Sequence, residues 1–438
     1  MALKFNISDT RYLKAFKTSS ASLVVQVINA LTSFISVPLI INAVGVERFG
    51  LWAAISAALS FLAFSDFGLG IGMQNRMSTF IGRGEKDNVV RTFATSFYTS
   101  IFFALVICGA ANYLADKFDY SLLIKYNDET ISYELVSVIR SVVIVMSLGL
   151  VAGIIQRAFD AHQEGYYHKY IGAFSRAISL ILLFIATHNN ASLSLLIVVF
   201  NGIPHICLIA AGLWKLLRKY KLQLHIKYFS IEILRHILKL GFLGLGAGLS
   251  MFFTTQAIPI LLSITHGLAD VAAYSVVIRL LSLIILFYNM VIMPIWPAVT
   301  DACAKNDMVW IKNTLVRMRK YVFMSLFIIL TLFLLLSKPI IVWWTGASIS
   351  PSFFLIVVCS FFTALLVWNA QVSVFLNGAS LFKGQSTYGL IIALLSVAIA
   401  YYFRNIVAQE FVILIVSFGV VVRNICMEIE LKYKLLNK

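Results

Sequence analysis

"KLLRKYKLQLHIKYFSIEILRHILK", Lys215–Lys239, carries seven lysines and arginines against the single acid Glu232, and it falls at the middle of a 438-residue chain. On both sides of it the chain is dominated by long uncharged runs. Hydrophobic residues make up 60% of the sequence and charged residues 12%, and the mean hydropathy of +0.90 is far above that of domains that bury their apolar surface away from water. A helix needs about 20 residues to cross a bilayer. Largely uncharged, apolar runs of that size lie at roughly 20–43, 50–73, 92–115, 137–157, 169–187 and 191–214 before the basic segment, and at roughly 241–265, 270–300, 320–338, 352–377, 386–404 and 406–426 after it. The expectation is an all-α integral membrane protein with about twelve transmembrane helices in two six-helix lobes, residues 1–214 and 241–438. The basic stretch 215–240 then joins the lobes as an amphipathic helix on the inner leaflet.

Charge decides the orientation. The net charge of +16 would suit nucleic acid, but the basic residues gather in short segments between apolar spans. With the N-terminus inside, 27 of the 35 lysines and arginines fall in inner segments and only five in outer ones. That bias predicts a multi-pass protein with both termini cytoplasmic and no nucleic-acid partner. The polar, basic 19-residue start and the long first span do not resemble a cleavable signal peptide. Cys108, Cys207, Cys303, Cys359 and Cys426 are scattered without CxxC spacing, so neither a metal site nor a disulfide is expected.

The halves share a register. "VGVERFGLW" (44–52) leads into a long span ending in "GRGEKD", and "THGLADVAAY" (265–274) leads into another ending in "CAKND". Asp87 and Asp307 are 220 residues apart and Trp52 and Tyr274 are 222 apart. Six spans per half make a parallel pseudo-repeat, an architecture in which transporters keep the substrate site between the halves.

Charged residues inside spans mark candidate sites, because each costs about 2.5–3.5 kcal/mol at mid-bilayer and calls for a partner or a wet cavity. Asp66 lies about 24 Å along the second span, Arg176 about 10 Å into the fifth and Arg279 about 14 Å into the eighth. Arg140 opens the fourth span; Arg157 and Asp160 close it. Three roles compete for these groups. Asp66 could pair with an arginine to fasten helices. The arginines could form an anion site, since guanidinium grips phosphate oxygens through a planar fork and stays charged when desolvated. Asp66 could also titrate and carry a coupling H+ or Na+. With Arg140, Arg157, Arg176 and Arg279 against one deep acid, the anion site is favoured. Gly68, Gly70 and Gly72 are expected to let helices approach closely, and Pro38, Pro204, Pro259, Pro294 and Pro297 to kink their spans. The amides Gln26, Asn29, Asn201, Gln256, Asn289, Asn369 and Gln371, with Trp296 and Trp368, could meet a glycan, and none is assigned individually.

Nothing points to catalysis. His162 and Glu164 in "DAHQEGYYH" lack HExxH spacing, no GxSxG occurs, and the longest external loop, about 116–136, is short.

"VGVERFGLW" followed by "SDFGLGIGMQNR", "AFDAHQEGYYHKY" after the fourth span, and "AAYSVVIRL" through "MPIWPAVTDACAKND" together resemble the Wzx-type flippases, the polysaccharide transporters of the multidrug/oligosaccharidyl-lipid/polysaccharide (MOP) superfamily. The resemblance covers most of the chain. It implies a MATE-like fold of two six-helix lobes around a cationic cavity. It also implies alternating access coupled to an ion gradient, and no cofactor beyond that H+ or Na+. The implied substrate is an undecaprenyl-pyrophosphate-linked oligosaccharide, such as an O-antigen repeat unit, moved from the cytoplasmic to the periplasmic leaflet of a bacterial inner membrane. Other glycan-assembly membrane proteins are the implied partners. Charged cavity residues differ among such flippases, so the roles of Asp66, Arg140, Arg157, Arg176 and Arg279 rest on depth and chemistry. The rivals are a MOP-type drug/cation antiporter, which calls for an acid-rich cavity, and a membrane-embedded glycan polymerase or ligase, which calls for a large external loop.

Overall fold

A computed structural model describes residues 10–60, 68–115, 117, 129–404 and 406–436, and among them there is no β-strand. In lipid, backbone groups find no water to bond, so an apolar chain closes its hydrogen bonds within helices. Among the described residues, eleven helices are long and apolar enough to cross a membrane. The chain is a multi-pass membrane protein. The expected second span is split: α1 (Thr10–Val44) is followed by α2 (Val46–Leu59) and α3 (Leu69–Arg83), with 61–67 outside the described residues. Then come α4 (Lys86–Ala115), α5 (Glu129–Ala161), α6 (Tyr166–His188) and α7 (Leu193–Lys219). The second half runs α8 (Ile231–Thr255), α9 (Ala257–Thr265), α10 (Leu268–Ile292), α11 (Ile295–Ala304), α12 (Met308–Thr345), α13 (Phe353–Gly378), α14 (Phe382–Phe403) and α15 (Gln409–Leu431).

The two halves repeat this order. α2 and α10 start at Val46 and Leu268, 222 residues apart, and α4 and α12 start at Lys86 and Met308, again 222 apart. The split span α2–α3 has its counterpart in the broken pair α10–α11. Proline chemistry explains the breaks in the second half. Pro259 and Pro297 lack the N–H that would bond to the carbonyls of Thr255 and Met293 four residues earlier, and α8 ends at Thr255 while α10 ends one residue before Met293.

The chain divides into two compact units, one of residues 1–44, 59–119 and 128–245, the other of 45–58, 120–127 and 246–438. Thus 45–58, which the sequence places in the first lobe, packs with the second unit. The first unit has a core of Met73, Met77, Phe93, Ile155, Phe159 and Ile237, and the second one of Tyr288, Val299, Ile311, Leu315, Phe375 and Met427. Large apolar side chains also point outward. On α12, Phe327, Leu335 and Trp343 are 74, 72 and 77% exposed, as side chains facing lipid would be.

The central linker corrects the expectation of a single amphipathic helix over 215–240. α7 ends at Lys219, residues 220–230 are non-helical apart from one short 3₁₀ turn (Ile226–Tyr228), and α8 starts at Ile231. Side chains of α4 hold this strap by taking up its backbone groups: Tyr98 donates to the Leu224 carbonyl (2.7 Å), Thr95 donates to the Tyr228 carbonyl (3.4 Å), and the Ser230 N–H donates to Thr95 Oγ1 (3.1 Å). The α5–α6 turn grips the start of the strap. Glu164, only 5% exposed, accepts from both Lys219 and Tyr220, while the His162 ring lies 3.8 Å from that of Tyr220. Burial, and then the bond to Glu164, push the Tyr220 hydroxyl well above its ordinary pKa. His162 and Glu164 therefore serve the clasp that closes the first unit.

Candidate functional site

α5 presents Met146, Gly149, Leu150, Gly153, Ile154 and Arg157 along one face, since positions three, four and seven apart stack on a helix. With no side chain at Gly149 or Gly153, that face is hollow. It lines a cavity of about 300 Å3 in the first unit, closed also by Gly70 of α3 and His205 of α7. His205 leans into the hollow, and a Cβ at Gly149 would stand 3.3 Å from its Nε2. Arg157 sits at one end, four residues before the end of α5, with Nη1 donating to Gln74 Oε1 of α3 at 2.9 Å. From Arg157 to Met146 the cavity follows α5 for about 17 Å. Its charged or titratable lining consists of Arg157 and His205, and no carboxylate lines it among the described residues.

Of the residues singled out by depth, Arg157 lines this cavity. Arg140 lies on the same helix but 17 residues earlier, about 25 Å away, so the two cannot grip one phosphate. Asp66 lies outside the described residues. Arg279, in the second unit, stacks its guanidinium 5.6 Å from the Phe49 ring centroid.

Arg176 has a local partner. Its Nη1 donates to the Phe200 carbonyl at 2.9 Å and its guanidinium lies 5.0 Å from the Phe200 ring centroid. Regular α-helical pairing would give that carbonyl the N–H of residue 204, which is Pro204 and has none. The π-helical turn Val198–Gly202 marks the same disturbance. Arg176→Ala should therefore lower thermal stability by about 2 kcal/mol, the cost of a buried acceptor losing a charged donor. In Arg176→Ala/Pro204→Ala, where the missing N–H is restored, at least half of that loss should return. Thermal unfolding of the purified single and double variants checks the coupling.

Arg423 is a buried cation that the sequence reading did not single out. It stands about 21 Å along α15 from Gln409 and is 4% exposed. Nη1 donates to Thr254 Oγ1 (3.1 Å) and Ser250 Oγ (3.4 Å) of α8, and no carboxylate pairs with it among the described residues. Nε and Nη2 are buried without a hydrogen bond. The available signal was the apolar run on both sides of it. Asn369 and Trp368 are structural ties: Asn369 donates to Asn424 Oδ1 (2.8 Å), Asn424 in turn donates to the Leu365 carbonyl (3.0 Å), and Trp368 donates to Glu428 Oε1 (3.0 Å). They join α13 to α15.

The glycines of "GLGIG" divide their labour. Gly72 fits the expectation of close approach, because a Cβ there would stand 2.0 Å from the Ile237 carbonyl oxygen of α8. Gly68 instead takes φ +78° and starts α3, a left-handed conformation that suits glycine. Gly70 borders the cavity. Among the described residues no group of three His, Cys, Asp or Glu side chains could hold a metal ion.

No protein-family model and no curated protein sequence matches the chain. Solved structures match over nearly its full length. An inward-facing multidrug resistance MATE family transporter of the MOP superfamily aligns with 95% of this chain and 98% of its own at 15% identity, with a TM-score of 0.71. An outward-facing structure of such a transporter aligns over 98 and 97% at 14% identity, TM-score 0.61. A MOP superfamily transporter from Pyrococcus furiosus aligns over 97 and 96% at 16% identity, TM-score 0.62. The chain has the fold of MOP superfamily transporters.

Proposed function

We propose that this protein is a flippase that carries a lipid-linked oligosaccharide, of the undecaprenyl-pyrophosphate class, from the cytoplasmic to the periplasmic leaflet of a bacterial inner membrane by alternating access. The observation that carries this is the sign of the charge lining the first unit's cavity. The cavity of the first unit holds Arg157 and His205 with no carboxylate among its described lining residues, and the second unit buries Arg423 against two hydroxyls. Such surroundings favour a diphosphate over an organic cation, because guanidinium N–H groups match phosphate oxygens and an unpaired buried cation repels a second one. A cavity of about 300 Å3 suits a diphosphate headgroup rather than a whole glycan. The resemblance of "AFDAHQEGYYHKY" and "MPIWPAVTDACAKND" to Wzx-type sequences points the same way. The Pyrococcus furiosus transporter, described as having a binding pocket of reversed polarity that suggests a different function, is a precedent for a change of cargo on this fold. An H+ or Na+ gradient would drive the cycle.

The MATE neighbours, described as multidrug transporters, favour a second reading as a drug/cation antiporter. Proteoliposomes separate the two. A fluorescent isoprenyl-pyrophosphate-linked oligosaccharide should cross at least tenfold faster with the protein than without it, while a cationic dye should not be concentrated under a proton or sodium gradient. Dye accumulation with a stationary glycolipid would refute the flippase reading.

A further inference from the structure

A second concave surface lies in the second unit, and of the residues discussed so far only Trp368 and Glu428 line it. It is a groove of about 490 Å3 beside α12, α13 and α15. Along α15 and the π-helical turn that continues it, Ile425, Ile429 and Lys432 follow at four- and three-residue spacing, so they share one face. Along α12, Lys312 and Arg319 are seven residues apart and share another. Both helices reach the groove from their charged ends, with Lys312 four residues into α12 and Lys432 just past α15. The groove is therefore cationic at its mouth and apolar further along α15, where Ile425 and Ile429 are 46 and 51% exposed.

The carboxylate in the groove does not cancel this charge. Glu428 is engaged by Arg319 Nη2 and by the Trp368 indole N–H, and the groove still holds three cations against one anion. Arg319 Nε is buried without a hydrogen bond. Neither Lys312 nor Lys432 forms an ion pair among the described residues. A partner for this surface must be anionic at one end, apolar at the other, and able to approach from the side of a membrane protein.

We propose that the groove binds an anionic glycerophospholipid, with its phosphate between Lys312, Arg319 and Lys432 and an acyl chain over Ile429 and Ile425. Basic recesses between transmembrane helices capture such headgroups because the phosphate stays charged and the chain stays in hydrocarbon. The site is independent of the transported cargo.

Native mass spectrometry of the full-length protein, released from vesicles of equal phosphatidylglycerol and phosphatidylcholine, tests this. The protein should retain phosphatidylglycerol over phosphatidylcholine at least fivefold, and Lys312→Ala/Lys432→Ala should bring that ratio below about twofold with an unchanged unfolding temperature, both lysines being exposed. Lys227→Ala/Lys305→Ala, which alters basic residues outside the groove, should keep the preference. Equal retention of the two lipids by the wild type would overturn the proposal, as would a preference that survives in Lys312→Ala/Lys432→Ala. Displacement of phosphatidylglycerol by millimolar inorganic pyrophosphate would also overturn it, because the groove would then be a site for free phosphate.

Discussion

Gly72→Leu is expected to leave no folded protein in the membrane, and Gly72→Ala to survive only with a large loss of stability. A Cβ at position 72 would lie 2.0 Å from the Ile237 carbonyl oxygen and 2.8 Å from its carbon. Both are backbone atoms of α8, so no rotamer change relieves the clash; the helices must move apart. Inserting one methyl into a well-packed interior costs about 1–3 kcal/mol, and contact with backbone puts alanine at or above the top of that range. Gly82→Ala is the internal control on the same helix. A Cβ there meets nothing within 4 Å, and alanine favours a helix over glycine by about 1 kcal/mol. Thermal unfolding of detergent-purified protein should therefore move in opposite directions for the two alanines. An unchanged Gly72→Ala would contradict the close approach of α3 and α8.

The second large effect concerns transport. Arg157→Glu should abolish glycolipid flipping, since it places an anion at the end of the cavity where the diphosphate is proposed to bind. Arg157→Lys keeps the charge but not the planar fork, and Arg157→Gln keeps a donor for Gln74 but not the charge. A charged hydrogen bond contributes about 1.5–3 kcal/mol, so the glutamine variant should flip about 10- to 100-fold more slowly, with lysine between it and the wild type. If the unfolding temperature falls in the same order and flipping per folded molecule does not, Arg157 is only a tie to Gln74 and the cavity is not the site. The initial flipping rate, divided by the folded fraction, decides between these outcomes.

The apolar runs were legible as the spans of a multi-pass membrane protein, because hydrophobic length is a one-dimensional property. Helix ends were less so. α12 extends from Met308 to Thr345, whereas its uncharged core is only 321–337. Charges such as Lys312 and Lys338 mark where a helix meets polar surroundings rather than where its hydrogen bonds stop. The end of α8 at Thr255, by contrast, could be anticipated from Pro259, because the missing N–H is written in the sequence.

What the sequence determined by itself was the class of molecule, the register of its two halves and the presence of arginines inside apolar spans, all of which follow from residue type and spacing along the chain. Only the tertiary structure decided what each cation faces. Arg176 meets the carbonyl that Pro204 leaves without its helical donor, Arg157 closes a hollow opened by Gly149 and Gly153, and Arg423 lies against Ser250 and Thr254. Those partners are 24, 4–8 and about 170 residues away along the chain. A guanidinium takes its role from the groups that replace its water, and helix packing chooses those groups.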